Sequence, residues 1–239
     1  MQLYTGTSGF AYKEWKGAFY PEDLRNDGML AYYATHFRAV EINNSFYRMP
    51  AEKTLAQWSE QVPPHFRFVL KAPQRITHFT RLKQESKDPL EYFLKTAASL
   101  GPQLGPLLFQ LPPNLKLDLP RLQAFLSWIP AHVRAAFEFR HSSWFEEAVY
   151  DALRAANAAL CIADTEEEQT PRMVTASDWG YLRLRRVAYS EADVVEWAAW
   201  TRAQGWSDAF VFFKHEDAGT GPRLAREFEA AFMGSRDQR

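Results

Sequence analysis

The chain is 239 residues long, 46% hydrophobic and 24% charged, with a formal net charge of −1. That length suits one domain of about 250 residues or less, and near-neutrality excludes a generally basic surface for nucleic acid or anionic membrane. No apolar run approaches the roughly 20 residues needed to cross a bilayer, so no membrane partner is expected.

The first strand pattern, Leu3–Gly6, begins so near residue 1 that no signal peptide is expected, and the single Cys161, inside an apolar run, reads as a buried thiol. Both features suit a cytoplasmic protein. Further short apolar runs follow at Ala39–Asn43, Phe68–Lys71, Leu107–Gln110, Ala135–Arg140, Ala159–Asp164, Tyr181–Arg185 and Ala209–Lys214. Segments of helical periodicity separate them. Strands alternating with helices imply parallel βαβ units, and eight such units predict an α/β fold, a TIM-type (β/α)8 barrel, with residues 1–239 as a single domain. In that fold functional residues gather at the C-terminal ends of the strands.

Helix starts are marked in several places. Asp88-Pro89-Leu90-Glu91 offers an N-cap, a proline and an acid at N3, with Gly101 suiting the helix end. Ser143-Trp144-Phe145-Glu146 and Ser190-Glu191-Ala192-Asp193 follow capping-box spacing, the second closed by Gly205, and Asp118 precedes Leu119-Pro120. Two connections are longer than a barrel requires. Thr7–Asp27 is crowded with Phe10, Tyr12, Trp15, Phe19 and Tyr20, and Ala72–Lys87 carries His78. Such loops either cover a ligand or are held down by their own aromatic cluster.

Side chains alternate along a strand, so in Tyr181–Arg185 the leucines should pack under helices while Arg183 and Arg185 point to the barrel axis or mouth. The same parity joins Glu138 to Arg140 and Glu41 to Asn43, while Lys71, Gln110, Asp164 and Lys214 each close a run. Three acids (Glu41, Glu138, Asp164) thus meet a larger set of cations, which favours a small anionic ligand carrying phosphate or carboxylate. Arg183, Arg185, Lys214 and the Gly219–Gly221 turn before the last helix are expected to hold the anion, with Lys71, Gln110, Arg140 and Asn43 nearby. Glu41, Glu138, Asp164 and His78 are the candidate acids and bases, and Tyr12, Trp15, Tyr47 and Trp144 the candidate ligand-facing aromatics. An internal salt-bridge network fixing the barrel top is the competing explanation of the charges.

The run Thr7-Ser8-Gly9-Phe10-Ala11-Tyr12, with Val40-Glu41-Ile42-Asn43, Lys71-Ala72-Pro73, Gln110-Leu111-Pro112-Pro113, Glu138-Phe139-Arg140-His141 and Tyr181-Leu182-Arg183, resembles the YecE-like family, domain of unknown function 72. The resemblance implies a TIM-type barrel and names no reaction. The function expected is an enzyme or binding protein for a small phosphorylated or carboxylated metabolite. Alternatives are a metal-assisted phosphoesterase or nuclease-like barrel and a non-catalytic ligand-binding module. No cofactor is expected. A divalent metal on Glu41, Glu138, Asp164 and His215 lacks any ligand spacing such as H-x-x-x-H to support it. Nucleic acid is a weak candidate partner, and the oligomeric state is left open.

Overall fold

Eight strands and seven α-helices alternate in a computed structural model that describes residues 1–166, 170–172 and 177–234. The strands are β1 (Gln2–Thr7), β2 (Ala39–Ile42), β3 (Arg67–Lys71), β4 (Leu104–Gln110), β5 (Ala135–Glu138), β6 (Ala159–Asp164), β7 (Trp179–Leu184) and β8 (Asp208–Phe213). They form one parallel sheet in the order β1-β8-β7-β6-β5-β4-β3-β2, the TIM-type barrel expected from the alternation. The helices are α1 (Met29–Ala34), α2 (Glu52–Glu60), α3 (Lys87–Ala97), α4 (Leu119–Ser127), α5 (Glu147–Ala155), α6 (Glu191–Ala203) and α7 (Thr220–Gly234). Among the described residues no helix lies between β6 and β7.

The gap between β1 and β2 is spanned differently from the others. Among the described residues, backbone pairing between the two segments is limited to a Ser8–Glu41 bridge and the Gly9 amide to the Glu41 carbonyl (2.8 Å). Below that point the Tyr33 hydroxyl stands in for a ladder, accepting from the Thr7 amide (2.8 Å) and donating to the Ala39 carbonyl (3.1 Å). Gly6 makes room for it, since a Cβ there would lie 2.0 Å from the Ala39 oxygen and 2.7 Å from the Tyr33 hydroxyl.

Capping follows the sequence in part. Ser190 and Asp193 form a complete capping box on α6, and the Asp118 carboxylate accepts from the Arg121 amide on α4. Two starts differ. Helix α3 begins at Lys87, which puts Asp88 inside the first turn, and α5 begins at Glu147, past the expected Ser143 cap. The Ser143 hydroxyl accepts instead from the Leu117 amide at 2.9 Å, tying together the loops after β4 and β5.

Two cores result from the strand alternation. Large apolar residues such as Leu160, Ile162, Leu182 and Leu184 pack outward under the helices. Tyr4, Val69, Leu108, Cys161, Tyr181, Phe210 and Phe212 fill the barrel. Continuing the inward parity one step along β2, β3, β4, β5 and β7 reaches Glu41, Lys71, Gln110, Glu138 and Arg183, so the apolar plug ends in a charged layer at the C-terminal mouth. No helix among the described residues is long and apolar enough to cross a membrane.

Candidate functional site

Arg183 is the hub of that layer, at 2% exposure, with Glu41 at 0% and Glu138 at 1%. Its Nη2 donates to Glu41 Oε1 at 2.8 Å and its Nη1 to Glu138 Oε2 at 2.5 Å. Ser8 Oγ donates to Glu41 Oε1 at 2.7 Å and the Tyr181 hydroxyl to Glu41 Oε2 at 2.5 Å. Glu138 Oε1 takes Gln110 Nε2 at 2.6 Å and Arg140 Nε at 3.1 Å. Burial is the largest single influence on both carboxyls and would raise their pKa values, but Arg183 and the other donors around them together reverse it. Hydrogen bonds from Tyr181 and Ser8 add to the effect at Glu41, and Arg140 and Arg185 add to it at Glu138. Both acids are therefore held ionised below the usual carboxylate range. Their oxygens are engaged, so they suit the fixing of guanidinium groups better than proton transfer.

The cations are not all engaged. Two carboxylates face three guanidiniums (Arg140, Arg183, Arg185) and the Lys71 amine in this layer. Arg185 is the least engaged of the guanidiniums: its Nε and Nη1 are buried without a hydrogen-bond partner among the described residues, whereas Arg183 lacks one only at Nε, and Arg185 Nη1 lies 3.6 Å from Glu138 Oε1. Burial first, then Arg183, lowers its pKa. Arg185 and Arg140 line a cleft of about 1020 Å³ together with Glu138, Phe139, His141 and Val187. Lys71 Nζ donates to Gln110 Oε1 at 2.8 Å, one amide away from Glu138. His78, on the turn after β3, is half-buried and packs edge-on to Phe46 at 4.9 Å. Burial, Lys71 and Arg140 lower its pKa, which favours the neutral imidazole. Lys214 follows β8 and is exposed, with Asn43 beside Arg183 at 3.4 Å.

Other expected residues lie elsewhere. Asp164 points outward, accepting from Arg186 Nε (2.8 Å), Trp197 Nε1 (3.0 Å) and the Tyr189 hydroxyl (3.0 Å), and so braces the barrel to α6 instead of joining Glu41 and Glu138. Trp15 is fully buried with Phe19 and Tyr20, so the first long loop is held down by its aromatic cluster. Trp144 is buried flat against Phe139 at 4.6 Å with Nε1 on the Leu115 carbonyl, inside the wall rather than on it. Tyr47 is 75% exposed. Tyr12 lines a separate small groove of about 170 Å³ with Asn43 and Trp58, its hydroxyl on the Ser8 carbonyl. Gly219 and Gly221 are buried against the first loop. A Cβ on Gly221 would lie 2.8 Å from the His215 oxygen, so close packing accounts for this glycine.

The network partners Ser8 and Tyr181 were not among the expected site residues, although Tyr181 shares the inward parity of Arg183. Among the described residues no three His, Cys, Asp or Glu side chains gather so as to hold a metal ion, and His215 is turned to the Arg186 carbonyl at 2.7 Å. The donor set imagined for a divalent metal is thus scattered: Glu41 and Glu138 face inward and Asp164 outward.

Known proteins resemble the chain as follows. The UPF0759 protein YecE of Escherichia coli K12 is 34% identical over 114 residues, 47% of this chain and 42% of that protein. The UPF0759 protein YunF of Bacillus subtilis 168 is 29% identical over 157 residues, 62% of this chain and 54% of that protein. The chain therefore spans about half the length of the curated relatives it matches. A DUF72 family protein of Thermotoga maritima MSB8 superimposes with a TM-score of 0.78 at 26% identity, covering 96% of this chain and 98% of that one. One from Enterococcus faecalis V583 gives 0.80 at 18% identity, covering 97% and 95%, which bears on the fold alone. The family described as "Protein of unknown function DUF72" matches residues 4–238, and the chain belongs to it.

Proposed function

We propose that the C-terminal mouth is the site of an enzyme acting on a small anionic metabolite, a phosphorylated or carboxylated compound. Arg185 and Arg140 hold the anion. The observation that carries this reading is Arg185, whose Nε and Nη1 are buried beside the cleft with no hydrogen-bond partner among the described residues. A buried donor left unpaired costs about 1–3 kcal/mol, more for a charged group, and an entering oxyanion removes that cost. Arg183 does not share the role, because two carboxylates already occupy its Nη1 and Nη2. His78 and Lys71 are the groups left to exchange protons with a bound molecule, since Glu41 and Glu138 are held ionised.

Titration with inorganic phosphate and a panel of phosphorylated and carboxylated metabolites, followed by thermal shift and calorimetry, tests the reading. Arg185→Met should weaken binding about 10- to 100-fold, the loss of one or two charge-assisted hydrogen bonds, with little change in the fold. Equal affinity in wild type and variant would remove Arg185 from the site. Absence of binding across the panel would remove the anion reading itself.

A further inference from the structure

Lys71 is out of the ordinary for a lysine at the end of a strand. It has no carboxylate within ion-pair distance among the described residues, and its Nζ donates to the neutral Gln110 Oε1. Its Nζ lies 4.2 Å from the centre of the Phe46 ring, and the side chain is only partly exposed. Gln110 cannot readily turn its amide, because its Nε2 is required as a donor to Glu138 Oε1 at 2.6 Å. The charged groups around Lys71 are Arg183 from β7, Glu138 and Arg140 from β5 and its end, Glu41 from β2 and His78 from the turn after β3. Burial is the largest influence on its pKa and Arg183 the next, with Arg140 acting the same way and the two acids opposing; the pKa falls to about 7. At neutral pH a large share of Lys71 is therefore free amine, the form that attacks a carbonyl carbon.

We propose that Lys71 is a covalent nucleophile that forms a Schiff base with an aldehyde or ketone carrying a phosphate or carboxylate group. The proposal rests on the anion reading above, which supplies the second point of attachment. Arg140 hangs from Glu138 Oε1 at 3.1 Å, and Gln110 links the same oxygen to Lys71, so amine and guanidinium flank one fixed carboxylate. The Nζ lone pair forms the new C–N bond, and the carbonyl π electrons move to oxygen, which takes up a proton as Nζ gives one up. The resulting carbinolamine loses its hydroxyl as water, leaving a C=N bond that is protonated to the iminium. One water is released, and no oxidant or reductant takes part. The iminium withdraws electrons from the neighbouring carbon, which suits proton abstraction or carbon–carbon cleavage there. His78, edge-on to the same Phe46 ring that underlies Lys71, is the neutral base on hand.

The test uses the full chain with glyceraldehyde 3-phosphate, and separately with uncharged glyceraldehyde, each trapped with borohydride and mapped by peptide mass spectrometry. At pH 7 the reduced adduct should form on Lys71 at least about tenfold faster than on the other lysines. The Lys71 rate should rise with pH to a plateau with a midpoint near the pKa of about 7. The phosphorylated aldehyde should react faster than glyceraldehyde, inorganic phosphate should slow it, and Lys71→Arg, with an unchanged circular dichroism spectrum, should give no adduct at this position. No preferential adduct on wild-type Lys71, while phosphate still binds in an Arg185-dependent way, overturns the nucleophile and leaves the anion reading standing. Preferential labelling of Lys71 that is indifferent to the phosphate group and to added phosphate overturns the anion reading and, with it, the proposed substrate class.

Discussion

Arg183→Met lowers the stability of the protein at neutral pH by about 3–5 kcal/mol, the usual cost of removing one partner from a buried ion network. In a chain of 239 residues this corresponds to a fall in Tm of roughly 10 °C. The cause is specific. Glu41 and Glu138 are 0% and 1% exposed, and each loses its closest cation while staying out of water. Adding Glu41→Gln to Arg183→Met recovers part of the loss, since one stranded charge is removed.

The pH dependence of this variant separates the charge from the packing. In the wild type both glutamates have folded-state pKa values below those of the unfolded chain, because Arg183 and the neighbouring donors together outweigh burial. Their stabilising contribution is therefore fully present above the unfolded pKa of about 4.3 and is lost as the pH falls through the depressed folded values. Without Arg183, burial raises the folded value of Glu41, which keeps no other cation within ion-pair distance among the described residues, above the unfolded one, while Glu138 retains Arg140 and Arg185. The variant then gains stability on acidification from pH 7 toward 5, whereas the wild type does not. Urea unfolding at several pH values measures both slopes. A variant whose loss is the same at pH 5 and pH 7 would show that the packing of the Arg183 side chain matters and its charge does not.

Gly6→Ala carries the second large effect, about 3 kcal/mol or more. The new methyl would stand 2.0 Å from the Ala39 carbonyl oxygen, a backbone atom that moves only if β1 and β2 separate. Overpacking of this kind costs about 1–3 kcal/mol. Displacement of the Tyr33 hydroxyl, 2.7 Å away, adds the cost of an unpaired Thr7 amide and Ala39 carbonyl. Tyr33→Phe should cost less, about 1–3 kcal/mol, and the two substitutions should not add, because each breaks the same bridge. Hydrogen exchange should show Thr7 losing protection in both variants. Stability within 0.5 kcal/mol of wild type in Gly6→Ala would mean the seam yields far more easily than its geometry implies.

Much of the barrel was legible because strand periodicity and helix periodicity alternate cleanly, and each expected strand falls within three residues of the observed one. Parity also located Arg183, Glu138 and Glu41 on one inward layer. It could have placed Asp164 too. Leu160 and Ile162 are the large apolar residues of β6 and face the helices, so Asp164, on their side, had to follow them outward. What parity could not supply was partnership. Whether Arg183 binds a ligand or two carboxylates depends on distances across the barrel between residues up to 142 positions apart in the chain. The aromatic loop was open for the same reason, since burial of its cluster depends on α1, which packs against Phe19, and α7, whose Gly221 approaches Trp15.

Arg185 and Arg186 are neighbours that face opposite ways, and the second fixes the first. The Arg185 amide donates to the Asp164 carbonyl at 2.8 Å, the Arg186 amide to the Tyr189 hydroxyl at 3.1 Å, and the Arg186 carbonyl meets His215 Nε2 at 2.7 Å. The Arg186 side chain is clamped by Asp164 and Asp193. Arg185 thus has an anchored stem and a guanidinium that, among the described residues, has no hydrogen bonds at Nε and Nη1. An anion arriving at the mouth would order only the end of one side chain, since the backbone beneath it is already immobilised. Preorganisation of this kind turns contact energy into affinity with little entropic loss. If the mouth takes an anion as proposed, the outward Asp164 would help set how tightly the inward face holds it.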